Sequence, residues 1–74
     1  MQRFHFHVRE NGHFIEDEDG QELEKDAVRR EAVETAASIA RDAFMSGRAH
    51  KVVIDVRQAD LPVMKVSISM FVQE

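Results

Sequence analysis

Two histidines and two arginines alternate with apolar residues near the start of the chain, in Arg3-Phe4-His5-Phe6-His7-Val8-Arg9. Successive side chains on a β-strand point to opposite faces. The run therefore gathers Arg3, His5, His7 and Arg9 on one face and Phe4, Phe6 and Val8 on the other. Imidazoles two residues apart on a strand stand roughly 7 Å apart and can share a metal ion. A stable site needs a third ligand, for which Asp55 is the candidate, and the flanking guanidiniums repel a cation. No metal site is assigned. Asp17-x-Asp19-Gly20 has the spacing of part of a calcium loop, but Ile15 stands where the first oxygen ligand belongs. A solvated acidic turn is the simpler reading. Ser67, Ser69, His5, His7 and Asp55 include the residue types of a hydrolytic triad. They fall on a flat sheet face without a strained nucleophile turn or an oxyanion hole. Gly12, Gly20 and Gly47 are isolated, so no glycine-rich phosphate loop exists. No catalytic residue and no cofactor is assigned, and the protein is expected not to be an enzyme.

What remains is a basic stripe, and its meaning depends on the elements that carry it. The first strand is expected over Gln2–Glu10, with Asn11-Gly12 as a hairpin turn into a short second strand over 13–17. The acidic tract Glu16-Asp17-Glu18-Asp19 repels itself and ends that pairing, and Asp19-Gly20 signals a further turn. Leu23 is expected to tuck under the domain. Residues 27–46 contain neither Gly nor Pro, and Val28, Ala32, Ala36, Ile39, Ala40, Ala43 and Phe44 recur at helical spacing. Asp26 is the N-cap candidate and Gly47 the stop. A third strand over 51–57 places Val52, Ile54 and Val56 inward. A loop over 58–62 follows, then a fourth strand over 63–73 with Met64, Val66, Ile68, Met70 and Val72 inward.

The expected fold is α+β: a single domain over 1–74 in β-β-α-β-β order, one long helix packed on one face of a four-stranded sheet. The first and fourth strands suit the centre and the short acidic second strand an edge. If the second and third strands share the sheet, they are expected to be parallel, joined by a right-handed crossover.

One helix covers one face only. The other face carries Arg3, His5, His7, Arg9, Lys51, Arg57 and Lys65, with Phe71 as its outward aromatic and Asp55 as its only acid. These basic residues and Phe71 form the candidate anion- or partner-binding face. The chain as a whole has a net charge of −4, so its charge is segregated. A negative chain without Trp or Tyr makes nucleic acid an improbable partner. The better candidates are an acidic protein segment and a second copy of the chain, met through the exposed basic face or a strand edge of a non-enzymatic interaction module; the alternative is a nucleic-acid-associated protein that binds through the same basic face. A domain of 74 residues is marginal alone and has no Cys for disulfides, so a homodimer is expected. Neither a signal peptide nor a membrane span is discernible, so a cytoplasmic protein away from membranes is expected.

Several of these residues also form a recognisable series. Phe6-His7-Val8-Arg9-Glu10-Asn11-Gly12, Ile15 with Asp17 and Asp19-Gly20, Glu22-Leu23, then Glu31-Ala32 and Ala36 resemble a family of small stand-alone bacterial domains of unknown function, mostly alphaproteobacterial. Its members open with a Phe-His-Val-Arg strand and pass through an Asp-x-x-Gly-x-Glu-Leu-like turn into an Ala-rich helix. The resemblance spans Arg3 to Ser46. It implies the fold and a bacterial cytosolic setting, and it supplies no catalytic or binding residue.

Overall fold

The structure, a computed structural model, describes all residues from Met1 to Glu74. Its elements are β1 (Gln2–Glu10), β2 (His13–Ile15), β3 (Gln21–Leu23), a 3₁₀ turn (Lys25–Ala27), α1 (Val28–Met45), β4 (Lys51–Gln58) and β5 (Leu61–Ser69). The α+β class and the single helix are as expected. The sheet has five strands, not four, in the order β2-β1-β4-β5, with β3 also on β1. Every pairing is antiparallel.

The added strand is β3. Gly20 takes φ +72°, turns the chain back, and lets Gln21–Leu23 pair with Gln2–Phe4. Three residues are too few to show a period of two. The outer edge of β1 is thus shared. Its first residues pair with β3 and its last, Val8–Glu10, with β2. Leu23, the last residue of β3, packs against the core.

The centre of the sheet is β1 and β4, which corrects the expectation of a central fourth strand. β4 carries the fully buried Val52, Ile54 and Val56. β5 lies at the edge, starts beside Pro62, and has a register irregularity opposite Val56 and Arg57. Proline and irregular register are both edge features. The expected loop over 58–62 is a two-residue turn, Ala59-Asp60, between the paired Gln58 and Leu61. β2 does lie at an edge. It runs in the same direction as β4 but is separated from it by β1, so the two form no parallel ladder.

α1 begins one turn after a 3₁₀ entry, so Asp26 is not its N-cap. The N-cap residue is Ala27, which has no side chain able to accept a hydrogen bond. The far end follows expectation. Gly47 takes φ +73°, the Arg48 amide donates to the Ala43 carbonyl at 2.9 Å, and the Gly47 amide donates to Phe44 at 3.3 Å. This is a Schellman stop. Val28, Ala32, Ala36, Ala40 and Ala43 are buried on the sheet with Phe4, Phe6, Val8 and the β4 valines. Alanine at every turn lets the helix backbone lie close to the strands. Met64, Val66 and Ile68 are only partly covered, because the helix does not shield the β5 edge fully. β5 ends at Ser69, so Val72, expected inward, is 68% exposed.

Candidate functional site

The outer sheet face forms where β1, β4 and β5 lie side by side. Cross-strand register aligns His5 with Arg57, His7 with Asp55 and Lys65, and Arg9 with Val53 and Ser67. Phe4 and Phe6 are buried beneath the helix, and His5 and His7 stand on the opposite side. The geometric premise of the sequence reading therefore holds, but the basic stripe is not uniform. It divides at His7.

The first half is occupied by the acidic tract. Between the stretches of β1 paired with β3 and with β2, the Phe6 amide points to an edge with no strand beside it. Asp17 fills that place. Its carboxylate accepts the Phe6 amide at 3.0 Å and the Gly20 amide at 3.1 Å. Its backbone engages both histidines. The Asp17 amide donates to His7 Nδ1 at 3.0 Å, and the Asp17 carbonyl lies 2.9 Å from His5 Nδ1. The His5 ring therefore carries its proton on Nδ1, while His7 Nδ1 keeps its lone pair. The two imidazoles stack, with centroids 6.1 Å apart. Arg3 donates to the Asp19 carbonyl at 2.7 Å and pairs with Glu22 at 3.2 Å. A tract expected only to end a strand thus ties the chain to β1.

These contacts govern the Asp17 carboxyl. Partial burial alone raises its pKa, but the hydrogen bonds from the Phe6 and Gly20 amides, with the favourable electrostatics of the neighbouring His5 and His7 rings, outweigh burial and hold it below its ordinary value. Gly20 is equally constrained. A Cβ at this position would stand 2.9 Å from both the Phe4 carbonyl oxygen and His5 Cε1, and φ there is +72°. Gly20→Ala is expected to cost about 1–3 kcal/mol of stability, from strain at positive φ and the contact with backbone. Urea denaturation measures it. A neutral substitution would show that the turn is not pressed against β1.

The second half of the face is open. A concavity of about 390 Å³ is lined by His7, Arg9, Phe14, Lys51, Val53, Asp55, Lys65 and Ser67. Arg9 lies over the Phe14 ring at 5.2 Å, and His7 approaches the same ring at 5.7 Å. Asp55 is paired with Arg57 at 3.4 Å. Arg9, Lys51 and Lys65 form no ion pair; the salt bridges involve Arg3, Arg30, Arg48, Arg57 and the N-terminus.

Of the residues proposed from sequence, His7, Arg9, Lys51 and Lys65 share this concavity. Arg3, His5 and Arg57 do not line it; Arg3 and His5 are engaged by the Asp17–Glu22 segment and Arg57 by Asp55 at its margin. Phe71 lies beyond β5 and is 86% exposed, so it is not the aromatic of the face. Phe14 is. Its register opposite Arg9 gives it the outward orientation of Arg9, a signal that needs the hairpin pairing in hand. No three His, Cys, Asp or Glu side chains stand close enough to hold a metal ion. The two histidine Nδ1 atoms already have partners in Asp17.

Fold and face together define a small α+β domain with one side of its sheet under a helix and the other carrying an open cationic hollow. The chain belongs to the family described as a domain of unknown function, DUF6894, which it matches over residues 3–69. That span takes in β4 and β5 as well as the region from Arg3 to Ser46 on which the resemblance rested. No curated protein and no solved structure matches the chain. No helix is long and apolar enough to cross a membrane.

Proposed function

We propose that this domain is a non-enzymatic interaction module that takes an acidic protein segment in the outer-face concavity. One observation carries the reading: Arg9, Lys51 and Lys65 surround a hollow and have no acidic partner within the chain. Carboxylates of an extended segment would meet these three charges, while Phe14 and Val53 give its apolar groups a floor. The other arginines of the outer face, Arg3 and Arg57, are paired with Glu22 and Asp55, so the attraction on this face is focused on one half of the sheet. Contacts of this type at a solvated rim act over a Debye length of about 10 Å at 0.1 M salt and fade as salt rises.

Fluorescence anisotropy with a dye-labelled Asp/Glu-rich peptide tests it. Binding is expected at low ionic strength and weaker binding at high salt. Lys51→Glu with Lys65→Glu is expected to weaken affinity by about tenfold or more. Arg48→Ala, which alters a cation paired with Glu10 away from the hollow, is expected to leave affinity unchanged. No binding at low salt, or binding indifferent to the double charge reversal, overturns the proposal. A second reading is favoured by the Phe14 ring between Arg9 and His7, an arrangement on which a nucleobase can stack. A single-stranded oligonucleotide that outcompetes the peptide, with the same dependence on Lys51 and Lys65, would assign the hollow to that ligand instead.

A further inference from the structure

β5 is a long strand with one side unpaired, since the sheet ends there. The direction of its free backbone groups follows from the ladder. The Met70 amide donates to the His50 carbonyl at 2.8 Å, so even-numbered residues of the regular stretch direct their amides toward β4. Lys65, Ser67 and Ser69 therefore direct theirs to the open edge. A strand of this kind is a template for another strand unless charge, proline or a bulge blocks it. Here Pro62 and the irregular register are confined to its start, and Lys65 is the only charge between Leu61 and Ser69.

We propose that the β5 edge pairs antiparallel with β5 of a second copy, about a two-fold axis at Val66. This interface is built on the backbone edge of β5 and does not depend on ligand binding in the hollow, although the side chains of Lys65 and Ser67 line both. The sequence of β5 is self-complementary in this register. Val66 faces Val66 of the partner subunit, Met64 faces the partner's Ile68, and Lys65 faces the partner's Ser67. Residues with outward amides face one another, as an antiparallel ladder requires. Shifting the axis to Lys65 would set two lysines in direct opposition, which is destabilising.

The helix side of the edge fits the same occupant. Val33, Met64 and Val66, with Arg29 and Lys65 at the rim, line a groove of about 330 Å³ between α1 and β5. Val33 is 44% exposed on it. The two-fold axis would bring this groove against its copy and cover its apolar floor. The two sheets would join into one, with both helices on the same side. The outer faces would also become continuous, so that each hollow would border the Lys65 of both copies.

Sedimentation equilibrium on the full chain tests the proposal, with circular dichroism to confirm that each variant is folded. The wild type is expected to show a concentration-dependent monomer–dimer equilibrium. Ser67 is exposed on the outer face, so its substitution spares the core. Ser67→Glu would place a carboxylate opposite the partner's Lys65 twice per dimer and is expected to tighten association roughly three- to tenfold. Ser67→Lys would create two like-charge pairs and is expected to weaken it by a similar factor. Lys65→Glu combined with Ser67→Lys is expected to restore it. A strictly monomeric wild type at millimolar concentration overturns the proposal. A dimer in which Ser67→Glu and Ser67→Lys act alike overturns the assignment to this edge and register.

Discussion

Asp17→Ala is expected to destabilise the fold by about 2 kcal/mol, although Asp17 lies in an acidic surface tract outside any helix or strand. The substitution leaves the Phe6 and Gly20 amides without their acceptor. Loss of a partner at partly buried donors costs more than the bond contributed, because the donor stays desolvated. For a domain of this length, that loss corresponds to roughly 8–16 °C in melting temperature. Asp17→Asn keeps one acceptor oxygen and is expected to lose about half as much. The carboxylate also gives the effect a pH dependence. Its folded-state pKa lies below its unfolded value, so its contribution is complete above the ordinary carboxylate range and disappears as pH falls through the folded value. Wild type and Asp17→Asn should therefore converge in stability under strongly acidic conditions. A constant difference between them down to the lowest pH at which both fold would contradict this role for the charge.

Phe4→Ala is expected to cost about 3–5 kcal/mol, the usual range for removing a large aromatic from a packed interior. Phe4 is 1% exposed and is among the largest fully buried side chains of the core. A domain of this size has a total stability of roughly 4–11 kcal/mol, so much of it would be lost. The variant should melt with a sharply lowered midpoint or without a cooperative transition. Phe14→Ala is the informative contrast. Phe14 is 45% exposed and touches Arg9 and His7 on the outer face. Its replacement is expected to cost under about 1 kcal/mol in stability and to weaken binding in the hollow. Calorimetry of the two variants separates the two faces of the sheet. Equal destabilisation would mean that the outer aromatic is a core residue in another form.

The contrast between these phenylalanines marks how far the sequence could be read. The alternation from Arg3 to Arg9 fixes which β1 residues lie under the helix, because period two leaves no freedom once one face is apolar. The Ala-rich stripe and Gly47 likewise define α1 and its end. Other features depend on contacts between segments distant in the chain. β3 is three residues long and exists because Gly20 turns it onto β1. The central place of β4 lies in its pairing with both β1 and β5, which local alternation, the same in β4 and β5, does not reveal. The outer face follows the same division. Its membership on β1, β4 and β5 is legible from periodicity, except that Phe14, placed by the hairpin register, takes the role expected of Phe71. The neutralisation of Arg3, His5 and Arg57 is not legible there, since the acidic groups and carbonyls that engage them come from turns and neighbouring strands. Asp17 looked like one acid among four, and only its place beside the unpaired stretch of β1 distinguishes it.

Amide chemical-shift mapping during titration with an acidic peptide at low salt tests most directly whether the free half of the outer sheet is a binding surface. The largest shifts are expected at Arg9, Phe14, Lys51, Val53 and Lys65, with the buried face of α1 silent. An unperturbed spectrum, or shifts confined to the helix, would show that the cationic hollow takes no acidic partner.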